Sequence, residues 1–343
     1  MIDIDERKLR ILSAIIDDYI LTAMPVGSRT ITRKYSIGGL SPATIRNEMS
    51  DLEELGYLDQ PHASAGRVPS AKAYRLYVDA LLRNAPKLSA AETLELRARI
   101  KSREKQIGDV IRKAAGAVAS STQYTTIVAG PKAHNSRVTC VSLAPISSDA
   151  ALLILVSDTA VFKDITVRVD PELTPGDLYR ISNMLTNYLG GRMLNELTSC
   201  VDALLVFLGQ HVQLLQTLLD GLGKIELEAN TGRELAVSGG TNMLNYPEYS
   251  EPAKIQAFLS VLETQDRLRA LLADNKPMQF TLRIGSETGM PEMEDCSVLT
   301  ASYHALGQTG TIGVIGPVRM RYGHVLSVLG AVGSILTETL KES

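Results

Sequence analysis

The sequence predicts a multidomain α+β protein, with a small helical head at the N-terminus and mixed strand-and-helix regions behind it. Three observations carry this prediction. Residues 5–55 read as short helices punctuated by Ser, Pro and Gly; long strand signals begin only at Tyr124; and they return in a second group after a helical stretch. At 343 residues, with 45% hydrophobic and 21% charged content, the chain has room for two or three domains with real cores.

Leu9, Leu12, Ile15, Ile16, Tyr19 and Ile20 recur at three- and four-residue steps, predicting an amphipathic helix over 5–23 that Pro25 and Gly27 end. Ser28 reads as the N-cap of a short second helix, "RTITRKY", and Gly38–Gly39 as a turn. Ser41 before Pro42 marks a strong helix start. The serine hydroxyl accepts an orphan N–H, and proline gives up a donor that had no partner there. That third helix runs to Leu55, and Gly56 stops it. Two extended pieces, Tyr57–Gln60 and Arg67–Val68, leave room for a small hairpin, so the head reads as a winged helix-turn-helix.

Leu88–Ser120 is helical and rich in Arg, Lys and Glu, and reads as a connector. "YTTIVAG", "RVTCVSLAPI", "AALLILVS" and "VFKDITVRV" are strands, the last three spaced as an antiparallel meander. Helices follow at 175–189 and 200–222. Then come "ELAVSGG", a helix over 252–272, the strands "MQFTLRIG", "CSVLTASYHA" and "GTIGVIGPV", and a last helix over 322–340.

On a wheel of about 100° per residue, Ile45, Met49 and Leu52 form the inner side of the third helix. Ala43, Asn47, Ser50 and Glu54 lie opposite, with Arg46 flanking them. Arg can pair bidentately with guanine and Asn with adenine, while Ala, Thr and Ser permit close approach. Asp51, Glu53 and Glu54 would repel phosphates, so the N-terminal end would enter a major groove, as the helix dipole also favours. The net charge of −3 is uninformative, but local charge is not. Pro25–Ser50 holds Arg29, Arg33, Lys34 and Arg46 against Glu48 alone; Gln60–Val78 holds Arg67, Lys72 and Arg75 and no acid. The acids of the first helix, Asp3, Asp5, Glu6, Asp17 and Asp18, read as a face turned from DNA. The candidate DNA-binding residues are therefore Ser28, Arg29, Arg33, Ser41, Ala43, Thr44, Arg46, Asn47, Ser50, Arg67 and Lys72. An ordinary three-helix bundle with solvated charges fits the same pattern, and Arg67 and Lys72 fit plain surface roles.

Catalytic, cofactor and metal sites are not expected. His62, His134, His211, His304 and His324 match no metal spacing, Cys140, Cys200 and Cys296 match no zinc or redox motif, and P-loop and nucleophile-elbow patterns are absent. The glycines at 307, 310, 313 and 316 read as a hairpin turn and a closely packed strand, and "PEMED" as a solvated loop. "LSVLGAVGSIL" and "ALLVFLG" fall short of the ~20 residues of a membrane span, and "MIDIDERKLR" lacks a signal-peptide core. A reducing cytoplasm, with no membrane partner, is expected.

"PVGSRTITRKY", "LSPATIRNEMSDLEELGYLDQPHASAGRVPSAKAYRLYVD" and "CSVLTASYHALGQTGTIGVIGPVRMRYGHVLSVL" together resemble the heat-inducible transcription repressor family HrcA, departing from its pattern at Val68, Ser70 and Ala73. The resemblance spans nearly the whole chain. It implies a bacterial repressor that binds double-stranded DNA at an inverted-repeat operator as a homodimer, with the GroEL chaperonin sustaining an activity lost on heat stress. It also implies a domain order: a winged helix-turn-helix over 1–87, a GAF-like domain from 88–130 and 231–343, and an inserted dimerisation domain over 131–230. A GAF-like fold leaves a second possibility, a regulator gated by a small metabolite, although fold alone assigns no ligand.

Overall fold

The computed structural model describes residues 4–35, 39–62, 65–84, 86–101, 107–131, 136–158, 162–200, 211–231, 235–272, 280–305 and 308–340. It divides into two compact units: Met1–Val128 with Ala236–Tyr303 and Thr311–Ser343, and Ala129–Leu235 with His304–Gly310.

The first unit opens with helices α1 (Glu6–Thr22), α2 (Ser28–Tyr35) and α3 (Pro42–Glu54). Asp5 caps α1, its carboxylate accepting from the Lys8 N–H at 2.7 Å. The helix ends earlier than Pro25 requires, at Ala23, which adopts the left-handed conformation with φ 54°. Ile11, Ile15 and Ile16 of α1 meet Ile31, Ile45 and Leu52 in a core where each is fully buried. Burial of such a side chain contributes roughly 1.5–3 kcal/mol, so this stripe decides how the three helices pack.

The hairpin is present as β1 (Leu58–Asp59) against β2 (Val68–Pro69), antiparallel with Leu58 opposite Pro69. It gains a third edge, because Val26 and Arg67 exchange both backbone hydrogen bonds at 2.9 Å. Gly66 permits that approach: a Cβ there would lie 2.5 Å from the Val26 carbonyl. Ser70 then caps α4 (Ala71–Arg83), its hydroxyl accepting from the Ala73 N–H at 3.3 Å.

The stretch read as a connector holds α5 (Ala90–Ile100) and α6 (Ile107–Thr122). α6 is no connector. It buries Val110, Ile111, Ala114, Ala115 and Val118, the alanines letting it lie close to its neighbours. Strand β3 (Thr125–Ala129) follows and is buried along most of its length.

In the second unit, β4 (Val138–Pro145), β5 (Ala150–Ser157) and β6 (Phe162–Arg168) form the expected antiparallel meander. Alternate β5 residues Ala151, Leu153 and Leu155 face the core, where α7 (Pro175–Leu189) supplies Leu178, Leu185 and Leu189. Of the helix expected over 200–222, residues 201–210 lie outside the described residues; α8 runs Val212–Thr231, past the expected end, and adds Leu214, Leu218 and Leu222. "ALLVFLG" also lies outside them.

Back in the first unit come β7 (Leu235–Ser238), α9 (Pro252–Glu263) and α10 (Gln265–Leu272), the expected single helix being broken at Thr264. Then follow β8 (Phe280–Ile284), β9 (Cys296–Ala305), β10 (Gln308–Pro317) and α11 (Tyr322–Thr339). The five-stranded sheet has the order β7-β3-β10-β9-β8. α11 packs on α6 and buries Val325, Leu329, Val332 and Leu336. "PEMED" is not simply solvated, since Met293 is wholly buried. Gly313 and Gly316 sit in β10 where a Cβ would meet Leu272 at 2.6 Å and Tyr124 at 3.0 Å; Gly307 lies outside the described residues. Among the described residues no helix is long and apolar enough to cross a membrane.

Candidate nucleic-acid interface

Ser41 is the N-cap of α3: its hydroxyl accepts from the Thr44 N–H at 3.1 Å and lies 2.9 Å from the Thr44 hydroxyl, with Pro42 in the first turn. Ile45, Glu48, Met49 and Leu52 turn inward, while Ser41, Ala43, Arg46, Asn47 and Ser50 are exposed and Thr44 is half-buried. The open face of the first turns is thus small, hydroxylic, amide-bearing or basic.

Ion pairing sorts the cations of the head. Lys34 is spent on Asp18, at 2.5 Å, and Arg7 and Lys8 on Glu48, at 2.6 and 2.9 Å. Arg29 and Arg33 on α2, and Arg46 on α3, are exposed and form no ion pair or hydrogen bond with another described residue. Since α2 packs against α3, three unpaired guanidinium groups are carried by adjoining helices. A guanidinium with five donors and no internal partner is suited to phosphate oxygens or a guanine edge. At the other end of α3, Asp51 pairs with Lys8 and Glu53 with Arg67, and Glu54 is exposed. That end repels phosphate.

Three sequence expectations need correction. Ser28 is the first residue of α2 rather than its cap and is buried, the Gly27 carbonyl receiving the Thr30 and Ile31 N–H groups instead. Arg67 is not at a free wing tip. Its Nε donates to Glu53 Oε2 at 2.8 Å and its side chain is 19% exposed, so it braces the ribbon against α3. Lys72 donates to the Leu55 carbonyl at 2.8 Å and lies over the Tyr57 ring, closing the C-terminal end of α3.

The acids of α1 are not one solvated face either. Asp18 is buried, and Asp17 accepts from the Tyr77 hydroxyl at 2.6 Å, burial pushing its pKa up despite that bond. Asp3 lies outside the described residues. Glu48 carries an organising role the sequence reading missed: it sits inside the head, gripped by two cations of α1. An acid on the inner side of the wheel, four residues before Leu52, was the available signal.

Among the described residues no group of three His, Cys, Asp or Glu side chains could hold a metal ion. Cys140 is exposed; Cys296 is buried beside the Tyr249 hydroxyl, and burial pushes its thiol up to about 12. Such a thiol is a poor nucleophile at neutral pH.

Helices α1–α3, the ribbon and α4 follow one another in the order of a winged helix-turn-helix, and the exposed chemistry is basic and amide-bearing. The class so defined is a mixed α+β protein with an N-terminal helical head and a β-sheet region behind it. The model of the HrcA protein C-terminal domain matches residues 108–326. The heat-inducible transcription repressor HrcA of Ruminiclostridium cellulolyticum is 39% identical over 342 residues, covering 98% of this chain and 97% of its own. Its namesake from Symbiobacterium thermophilum is 39% identical over 338 residues, covering 98% of each. A crystal structure of a hypothetical protein aligns over 99% of both chains with a TM-score of 0.65 and 24% identity, a likeness of fold. The chain belongs to the HrcA family, a family of transcription repressors and not of enzymes.

Proposed function

We propose that this chain represses chaperone genes by binding, as a homodimer, an inverted-repeat operator in double-stranded DNA. The N-terminal half of α3 enters the major groove, Arg46 and Asn47 face base edges, Ala43, Thr44 and Ser50 approach closely, and Arg29 and Arg33 hold phosphates. The observation that carries this reading is the set of three unpaired arginines on α2 and α3, in a head whose other cations beside α3 are engaged internally.

Residues 1–87 act as the winged head and 88–130 with 231–343 as a GAF-like domain, with 131–230 as a dimerisation insert. The division of contacts near residues 129 and 235 supports the limits of the insert, while the head and the GAF-like part fall in one compact unit. Two heads related by a twofold axis would address half-sites about one DNA turn, ~34 Å, apart. Such a protein works in the bacterial cytoplasm. Its activity is sustained by the GroEL chaperonin and lost on heat stress, since unfolding exposes apolar helices such as α11.

A gel shift on an inverted-repeat probe selected from a random duplex library tests this. Arg29 and Arg33 from each of two protomers give about four phosphate contacts, so log K falls with log salt at a slope of about −4. Arg46→Ala and Asn47→Ala each lose about 1–3 kcal/mol of binding. Binding indifferent to salt and to both substitutions sinks the proposal. The chaperonin step is tested separately: heated protein regains operator binding only when the chaperonin and ATP are supplied.

A further inference from the structure

The head and the sheet belong to one compact unit, and two arginines join them. Arg319, just after β10, places its Nε 2.5 Å from Glu248 Oε1, a second nitrogen 3.2 Å from Glu248 Oε2, and a third donates to the Ile20 carbonyl at 3.1 Å. Ile20 lies in the last turn of α1, where carbonyls have no partner within the helix. Arg319 supplies that partner, and its positive charge suits the negative end of the helix. The Arg319 side chain is 11% exposed, and its guanidinium lies over Tyr246, which stacks on Tyr124 with centroids 5.4 Å apart. Arg75 of α4 makes the second junction, to the Leu282 carbonyl of β8 at 2.7 Å and to Glu287.

Between these contacts the packing is imperfect. Tyr74 of α4 meets Tyr322 of α11 with centroids 5.8 Å apart, and its hydroxyl is buried with no hydrogen-bond partner among the described residues. A buried phenol left unmatched weakens the docked arrangement, so the directional contacts of the arginines carry more of the alignment.

α1 links this junction to the reading surface. Its C-terminal end is held by Arg319, and its N-terminal end, through Arg7 and Lys8, grips Glu48 of α3. A helix of 17 residues, about 25 Å long, is a stiff lever between the two. We infer that Arg319 is a positioning residue for DNA binding: through α1 it sets the direction in which each protomer presents α3, and hence which half-site spacing a dimer accepts. This rests on the DNA-binding reading above.

The test compares wild type with Arg319→Ala and Arg319→Lys on three probes: the selected inverted repeat, the same repeat with five base pairs inserted between half-sites, and a single half-site. Arg319→Ala is expected to keep wild-type circular dichroism and single half-site affinity, while its preference for the selected spacing over the inserted one falls tenfold or more. Arg319→Lys, with charge but no fork, restores little of it. If Arg319→Ala does not fold, Glu248→Gln carries the same comparison, since it loosens the clamp while keeping the cation. Unchanged spacing preference in a folded variant overturns the inference, as does an equal loss on all three probes, which marks a merely structural role. Failure of the wild type to bind any probe overturns the DNA-binding reading instead, and this inference with it.

Discussion

The guanidinium of Arg67 and the carboxylate of Glu53 form a two-point contact, Nε to Oε2 at 2.8 Å and a terminal nitrogen to the same oxygen at 2.7 Å, tying the ribbon to the last turn of α3. Its consequence is mechanical rather than informational. Arg67→Ala should destabilise the protein by about 1 kcal/mol, as expected for a partly exposed pair, and leave the salt slope of DNA binding unchanged. Chemical denaturation and a salt titration check the two halves; a shallower slope would return Arg67 to the phosphate-binding set.

Glu48 presents a different case, because its side chain is 7% exposed and both its partners come from α1. Removing it by Glu48→Ala leaves Lys8, itself 17% exposed, with Asp51 and Asp5 alone. The expected cost is about 1–3 kcal/mol, below that of a fully buried pair because Arg7 reaches solvent. Urea unfolding measures it, and a change within roughly 0.5 kcal/mol would show the grip to be incidental.

The outer edge of β4 is closed by α7. Ser182 Oγ accepts from the Leu143 N–H at 2.8 Å, and Thr186 Oγ1 accepts from the Val141 N–H and donates to its carbonyl, both at 2.9 Å. Two hydroxyls one helical turn apart thus match strand groups that would otherwise invite pairing with another chain. The double substitution Ser182→Ala, Thr186→Val should lower stability by about 1–3 kcal/mol for each stranded N–H and produce concentration-dependent higher association in sedimentation. A variant that stays at the wild-type size with wild-type stability contradicts this account.

Acid should act on the same helix. The Thr174 hydroxyl, and then its backbone N–H, hold the Asp177 carboxyl below the ordinary aspartate range, while Thr174 caps α7 in return. A lowered folded pKa means stability that is present above the unfolded value of 3.8 and lost as pH falls through the lowered folded value. Thr174→Ala should therefore lower stability at neutral pH, where both the cap and the carboxylate contact are lost, and its gap from wild type should narrow below about pH 4. A gap independent of pH in urea melts would show that the carboxylate plays no part.

Much of this architecture was legible from local signals. Ser41 and Pro42 announce the start of α3, and the spacing of Ile45, Met49 and Leu52 gives its inner face, whereas "AALLILVS" announces a strand but is apolar nearly throughout, so which of its residues meet α7 shows only in the fold. The exposed candidates Ala43, Arg46, Asn47 and Ser50 followed from the same periodicity, and Arg29 and Arg33 from the local excess of basic residues. What a linear reading could not supply was partnership. Arg46 and Arg67 look alike as residues, yet one is unpaired and the other is closed on Glu53. Likewise α6 reads as charged and connecting until α11, more than two hundred residues later, covers its alanines.

The sequence by itself determined the elements, the polarity of α3 and membership in the family, because caps, turn residues and hydrophobic period act over a few neighbouring positions. Only the tertiary structure decided which charges remain available, that Glu48 is clasped by α1, and that Arg319 holds the far end of that helix 299 residues away in the chain. The physical reason is range: hydrogen bonding and packing periodicity are local to a segment, whereas whether an ion is satisfied depends on whatever the folded chain brings within a few ångströms of it.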